Sequence, residues 1–342
     1  MAPERELDPT LPLPQGPVLV TGGAGYVGSL TVRLLQRLGV AVTVLDNLSR
    51  GHRAAVSAPL EIADLADRAA LDAVLARHRP RSVVHFAALA YVGESVEDPA
   101  RYYFCNVHCT WNLLEAMRAH GCEEIVFSST CATYGNPLRI PIDEEHPQQP
   151  ISPYGRTKLH MEHMLQDYGH AYGLRYAALR YFNAAGASGD GALGEWHEPE
   201  THLIPLVLQV ALGQRSEILV FGDDYDTPDG TCIRDYVHVE DLAEAHVRAL
   251  VQLQRGTPRV VCNLGTGSGH SVSEVIALAR GVTGCEIPAR VVARRPGDPP
   301  RLISGGDLAR RELGWTPRRA ELSGIVADAW RFLAAHPQGY PG

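Results

Sequence analysis

The 342-residue chain has no run of basic residues, no long uninterrupted apolar stretch and no Cys-x-x-Cys pair. Each absence excludes a class of function. Lys and Arg total 31 against 39 Asp and Glu, a formal net charge of −8, so no surface is set up to neutralise phosphate backbones. No nucleic-acid partner is expected. Nothing approaches the ~20 apolar residues that a helix needs to cross a bilayer, so no membrane partner is expected either. The seven cysteines are odd in number and scattered. They suit a reducing compartment, the cytoplasm, better than a disulfide framework. Cys105, His108 and Cys109 could share a helix face, and His160 and His163 stand three apart. Free cysteines on an apolar helix usually fill a core, so no metal is expected. The first 17 residues hold five prolines and no apolar signal-peptide core. Residues 1–16 read as a loose tail.

The length suffices for two domains. The organising stretch runs from Val18 to Asp46. A short apolar run, Val18-Leu-Val-Thr21, reads as a buried strand, and the turn Gly22-Gly-Ala-Gly25-Tyr-Val-Gly28 follows at once. Val27, Leu30, Leu34 and Leu38 then repeat at helical spacing up to Gly39, and Val40–Leu45 is a second strand ending at Asp46. Glycines without Cβ let a pyrophosphate approach backbone N–H groups at the positive end of a helix. Asp46, 18 residues past Gly28, stands where a carboxylate accepts the hydrogen bonds of an adenosine ribose. It would repel a 2′-phosphate, so the implied cofactor is NAD rather than NADP. A glycine-rich surface turn could share the spelling but would not need the flanking strand, helix, strand and acid.

Beyond Asp46 helical and extended patterns alternate. Residues 67–78 and 99–120 read as helices, and 82–86, 124–128 and 175–181 as strands. Ser152 caps a helix with Pro153 in its first turn. Such alternation predicts an α/β, doubly wound, Rossmann-type parallel sheet with ligands at the carboxyl ends of the strands. Ala87, Ala88, Ser128 and Asn183 all lie at such ends. From residue 184 longer polar loops enter, with a helix near 203–212 and a strand near 217–221. The strand 236–239, the helix after it and the strand 260–264 are expected to return to the main sheet. Ser271 opens a capping box, and a last helix covers 321–335. The expected division is a dinucleotide-binding domain over 17–183, with 236–265 returning to it, and a smaller interleaved domain over 184–235 and 266–342.

With Ser152 as cap, Tyr154 and Lys158 fall one turn apart on one helix face. A free phenol titrates near 10, so it serves as a base at neutral pH only if the phenolate gains roughly 4 kcal/mol, as from an adjacent ammonium and a cationic nicotinamide. Thr130 can hydrogen-bond the hydroxyl that loses its proton.

These motifs, Val18-Leu-Val-Thr-Gly-Gly-Ala-Gly-Tyr-Val-Gly28, Ser128-Ser-Thr130, Tyr154-Gly-Arg-Thr-Lys158 and Arg180-Tyr-Phe-Asn183, resemble the extended short-chain dehydrogenase/reductases. His85-Phe-Ala-Ala-Leu-Ala-Tyr-Val-Gly-Glu-Ser95, Gly222-Asp-Asp-Tyr225, Asp229-Gly-Thr-Cys-Ile-Arg-Asp-Tyr236, Arg294-Arg-Pro-Gly-Asp298 and His336-Pro-Gln-Gly-Tyr-Pro341 are similar to the UDP-glucose (UDP-galactose) 4-epimerases. The likeness runs from about residue 17 to the end. It implies reversible oxidation of a UDP-hexose at carbon 4 by a tightly held NAD. Tyr154 is then the base, Thr130 polarises the sugar oxygen, and Lys158 binds the nicotinamide ribose and keeps Tyr154 ionised. The implied cofactor pocket comprises Gly22, Gly25, Tyr26, Val27, Gly28, Asp46, Asn47, Asp64, Leu65, Phe86, Ala87, Ala88, Asn106, Ser128 and Tyr181 besides Tyr154 and Lys158. Asn183, Arg234, Arg295 and Asp298 match positions that hold the UDP diphosphate and ribose, and Leu203 and Phe221 those around the uracil. A homodimer through helices 99–120 and 153–172 is implied as well.

Three positions depart from the family pattern. Ala90 replaces a lysine found in some members, and His202 an asparagine of the substrate loop. Leu302 stands at the gate beside the sugar's 2-substituent, where some members carry tyrosine. Leucine is smaller and cannot donate a hydrogen bond, so the pocket is expected to admit the N-acetylhexosamine pair too. A UDP-xylose/UDP-arabinose 4-epimerase is the nearest alternative. A nucleotide-sugar 4,6-dehydratase would need an acid–base pair after Thr130, where Cys131 and Ala132 stand. A non-catalytic NAD-binding regulator would not need Thr130, Tyr154 and Lys158 together.

Overall fold

The computed structural model describes residues 6–295, 298–305 and 307–341. In chain order its first half comprises β1 (Val18–Thr21), α1 (Tyr26–Arg37), β2 (Val42–Asp46), β3 (Leu60–Ile62), α2 (Arg68–His78), β4 (Ser82–His85), α3 (Val92–Glu97), α4 (Pro99–Tyr102), α5 (Cys109–Ala119), β5 (Glu124–Thr130), α6 (Pro153–Tyr172) and β6 (Arg175–Tyr181). There follow β7 (Asn183–Ala185), α7 (Leu203–Ala211), β8 (Ile218–Phe221), β9 (Ile233–His238), α8 (Val239–Gln254), β10 (Arg259–Leu264), β11 (Gly269–Ser271), α9 (Val272–Thr283), β12 (Ala289–Val292), β13 (Arg301–Leu302), α10 (Leu308–Leu313) and α11 (Leu322–Ala335).

Seven strands make one parallel sheet in the order β10-β6-β5-β4-β1-β2-β3. Order reverses between β1 and β4, which opens the crevice where such sheets bind ligands. Alternation along each strand divides the core. Val18, Val20, Val84 and Val126 pack with α1 and α8 on one face, whereas Leu19, Val83, Ile125 and Phe127 pack with α2, α5 and α6 on the other. Local signals set the helix ends. Asp67 accepts the N–H of Ala70 at 3.0 Å, Ser152 that of Gly155 at 3.1 Å, and Ser271 with Glu274 closes a capping box.

Three expectations are corrected. The strand at 236–239 does not return to the main sheet. β9 lies in a separate four-stranded sheet with β7, β11 and β13, and only α8 and β10 rejoin the large sheet. An apolar alternating strand suits either sheet, so its pattern does not choose between them. The stretch 99–120 is not one uniform α-helix, because Tyr103–His108 widens into a π turn between α4 and α5. That turn carries Asn106 inward, fully buried. Residues 6–16 are not loose. Leu11 is buried, Asp8 is held by Arg248 at 3.0 Å, and Gln15 exchanges hydrogen bonds with Gln254. No helix among the described residues is long and apolar enough to cross a membrane.

The second layer is fastened to the nucleotide-binding layer by Arg33 of α1, which grips Asp190 with both guanidinium nitrogens at 3.1 and 2.6 Å. Burial opposes ionisation of Asp190, but Arg33, the Ser188 hydroxyl and the Ala192 N–H outweigh it and hold the carboxyl down at about 2. A depressed carboxyl contributes stability that is present above the ordinary value near 4 and is lost as pH falls toward 2. Asp190→Asn should therefore lower Tm at pH 7 and flatten the decline of Tm between pH 4 and 2. A thermal-denaturation series with the wild-type slope in that window would refute the assignment.

Candidate active site

The Gly22–Gly28 turn joins β1 to α1 and has little room to spare. Gly22 has φ +72°, and a Cβ there would lie 2.4 Å from the Ala87 nitrogen. At Gly28 a Cβ would lie 2.3 Å from the Gly22 carbonyl oxygen. The N-terminus of α1 has no side-chain cap, so its first N–H groups remain available to an anion. Asp46, at the end of β2, is buried and accepts the N–H groups of Ala24 and Leu48 at 3.0 and 2.9 Å. Burial raises its pKa and those two N–H groups oppose the rise. Asn47 donates to Asp64 at 2.8 Å beside it, with Leu65 buried below. The donor set, acid and steric limit fit a dinucleotide.

The other cofactor-side residues lie at neighbouring strand ends. Phe86, Ala87 and Ala88 follow β4 and are half-buried. Asn106 does not present a free amide. It accepts the Leu89 N–H at 2.8 Å and donates to the Leu89 carbonyl and Thr157 hydroxyl, each at 3.0 Å, and so braces that loop against α6. Tyr26 points away from the turn and donates to the Gly186 carbonyl at 2.6 Å. Tyr181 and Ser128 hydrogen-bond through their hydroxyls.

At the end of β5 the Thr130 hydroxyl accepts the Ala132 N–H at 3.1 Å, and its side chain acts to lower the pKa of Tyr154. The sequence placed Thr130 after its strand; it is instead the last residue of β5, level with Tyr181. Burial, then Tyr181, push the Tyr154 phenol well above its ordinary value, and Thr130 only partly opposes them. The Lys158 ammonium donates to the Ser128 carbonyl at 2.9 Å and lies 4.8 Å from the Phe127 ring centroid. Burial lowers its own pKa to about 7, against the pull of Glu162. Among the protein groups desolvation outweighs the rest and favours the neutral phenol; the phenolate expected from the sequence rests on Lys158 together with the nicotinamide charge.

Across the crevice, Arg234 of β9 donates to Asp298 at 3.0 Å and is level with Leu302 of β13. Leu302 packs on Cys131, Tyr134, Ile142 and Phe182, and Cys131 directly follows Thr130. The structure thus brings Arg234, Asp298 and Leu302 to the side where Thr130 and Tyr154 meet. Asn183 pairs with Tyr236 of β9. A second group forms where the Arg295 guanidinium stacks 3.8 Å above the Phe221 ring. Pro296 and Gly297 of the Arg294–Asp298 motif lie outside the described residues. Leu203 opens α7, while His202 turns toward Glu195 and Glu200.

The family model described as NAD dependent epimerase/dehydratase family matches residues 18–265. A UDP-glucose 4-epimerase of Halalkalibacterium halodurans is 51% identical over 324 residues, covering 94% of this chain and 97% of that one. A crystal structure of UDP-glucose 4-epimerase from Brucella ovis in complex with NAD superposes with a TM-score of 0.90 at 52% identity, covering 92% of this chain and 98% of that one. The Bifidobacterium longum UDP-glucose 4-epimerase in complex with NAD+ and UDP gives 0.90 at 38% identity, covering 94% and 99%. The chain belongs to the NAD dependent epimerase/dehydratase family. Its cofactor is accordingly NAD, which the cradle fits.

This epimerase/dehydratase-family site also rests on residues that motif reading passed over. Glu162, one turn past Lys158, receives Ser129 at 2.5 Å and Arg180 at 2.6 and 2.9 Å. Arg180 also donates to Tyr134 at 3.0 Å, and Tyr134 to Asn263 at 2.7 Å. The four-residue spacing of Tyr154, Lys158 and Glu162 was visible; their partners, distant in sequence, were not.

Gly28→Ala tests the cradle. Relieving an overlap with backbone costs roughly 1–3 kcal/mol, so NAD affinity should fall by about 10- to 100-fold. Cofactor released on denaturing the purified variant measures this, and a full complement of NAD would rule out the assigned turn.

Proposed function

We propose that the chain is an isomerase interconverting UDP-galactose and UDP-glucose through transient oxidation at carbon 4. The observation that carries this reading is Thr130 at the end of β5 acting on Tyr154 in the first turn of α6, on the side where Leu302 packs on Cys131 and Arg234 pairs with Asp298. A phenol and a neighbouring hydroxyl can share the proton of a sugar hydroxyl placed between them. When bound, NAD supplies the hydride acceptor and a positive charge near the phenol. Thr130 keeps its lone pairs directed by the Ala132 N–H, so its own proton is available to Tyr154 or to the substrate oxygen. Lys158, anchored on the Ser128 carbonyl, sets the floor of the pocket. Arg234 carries the fork of donors that a diphosphate needs, and Asp298 orients it.

Cys131 and Ala132 follow Thr130 where elimination of water would need an acid–base pair, so the reaction stops at inversion. Leu302 is half-buried against Tyr134, Ile142 and Phe182 and presents only methyl groups. That wall supports acceptance of UDP-N-acetylglucosamine and UDP-N-acetylgalactosamine as well. All seven cysteines are free, which supports a cytoplasmic setting. Phe104 and Trp111 are 51% and 45% exposed beside Tyr103 along the helix pair that abuts α6, which supports a homodimer through these helices.

Proton NMR of the purified protein with UDP-galactose and no added cofactor tests the activity. UDP-glucose signals should grow to an equilibrium mixture, and Tyr154→Phe should slow this by roughly 100- to 10,000-fold with NAD retained. Unchanged UDP-galactose after NAD addition, with turnover of UDP-arabinose instead, would transfer the assignment to a pentose. Failure of both acetamido sugars in the same assay would remove the wider specificity. Sedimentation as a single chain at micromolar concentration would remove the dimer.

A further inference from the structure

Between β7 and α7 the segment Glu195-Trp-His197-Glu-Pro-Glu200-Thr-His202 folds back on itself so that four side chains converge. The ligand-type atoms of Glu195, His197, Glu200 and His202 all lie within 4.8 Å of one another, and among the described residues no other such group occurs. His202 Nδ1 is 2.7 Å from Glu195 and 3.1 Å from Glu200, and His197 Nδ1 is 3.3 Å and 3.6 Å from the same two carboxylates. A tetrahedral ion with bonds of about 2.1 Å holds its donors about 3.4 Å apart. The four separations bracket that value.

Two independent observations point to something missing at this spot. His197 Nδ1 is buried without a hydrogen-bond partner, its approach to Glu195 being out of line. Tyr91, only 9% exposed, also has a buried hydroxyl with no partner. Its ring packs edge-on against His197 at 5.7 Å and tilted against His202 at 6.3 Å. Glu200 and Glu195 both act electrostatically on its hydroxyl. An orphaned buried polar group costs about 1–3 kcal/mol, and two of the five such atoms among the described residues lie around this one cluster.

We propose that Glu195, His197, Glu200 and His202 bind one divalent transition-metal ion, with Tyr91 in the shell around it. Two imidazole nitrogens with two carboxylates suit Zn²⁺, Co²⁺ or Mn²⁺, whereas Mg²⁺ prefers oxygen alone. Glu200 also accepts the N–H groups of Thr201 and His202 at 2.7 and 2.8 Å, so the loop is already shaped around its carboxylate. His202 is the residue before α7, and Tyr91 follows the loop beyond β4. The ion would pin the loop entering α7 to the nucleotide-binding layer. The rival occupant is a pair of protons, giving two imidazolium–carboxylate pairs with no metal.

The test uses the full chain, stripped with a chelator, incubated with Zn²⁺, Co²⁺ or Mn²⁺, desalted and analysed for metal. The wild type should retain about one ion per chain, with a higher Tm and, with Co²⁺, visible bands of a four-coordinate site. His197→Gln and Glu195→Gln should each weaken retention at least ~10-fold, and Tyr91→Phe should weaken it too. His120→Gln, at a surface pair with Asp72, should retain it in full. Retention of none of the three metals by the wild type would overturn the proposal, as would equal retention by His197→Gln and Glu195→Gln. If a variant fails to fold, the cobalt spectrum of the wild type decides alone, and its absence overturns the site.

Discussion

Glu162 and Arg180 face each other inside the protein with side chains 8% and 7% exposed, and most of the site is hung on that contact. Removing one member of such a buried pair costs roughly 3–5 kcal/mol, because the other charge is left without water or partner. The pair is further satisfied by Ser129 of β5 and Tyr134 beyond it. From Tyr134 the chain of hydrogen bonds continues to Asn263 of β10 and on to the Ile142 carbonyl, and the Ile142 N–H reaches the carbonyl of Ile303, next to Leu302. These contacts link α6, which carries Tyr154 and Lys158, to the segment that carries Leu302.

The same burial that makes this network rigid governs the chemistry. Tyr154 and Lys158 are both short of water, so each is biased toward its neutral form: the phenol is raised and the ammonium is lowered to about 7. Positive charge brought beside the phenol works against that bias. The Thr130 hydroxyl is fixed by the Ala132 N–H, and its side chain favours the charged form of Tyr154 against that burial. Asn106 works at a distance from this exchange. Through the π turn it ties the loop after β4 to α6, the helix that carries Tyr154 and Lys158.

The sequence by itself determined what depends on near neighbours in the chain. The strand–glycine turn–helix unit, the caps at Ser152 and Ser271, and the one-turn spacing of Tyr154 and Lys158 follow from backbone sterics, short capping bonds and helix period. Each of these is complete within a few residues, so each was legible. The family likeness then carried the cofactor and substrate positions along the chain.

Only the tertiary structure decided what depends on contacts distant in sequence. The strand 233–238 could have joined either sheet, and packing against β7 and β13 placed it in the smaller one. The twelve or so residues ahead of β1 carry no periodic pattern, yet Asp8 finds Arg248 and Leu11 finds the core. His202 reads as a substrate-loop residue in sequence, but the fold turns it onto Glu195 and Glu200. The ionisation of Tyr154 was read from an ammonium and a nicotinamide charge, and the fold sets against them a desolvation that sums over every atom packed around the phenol. Motifs specify which groups are present; burial, assembled from residues far apart in the chain, decides their charge.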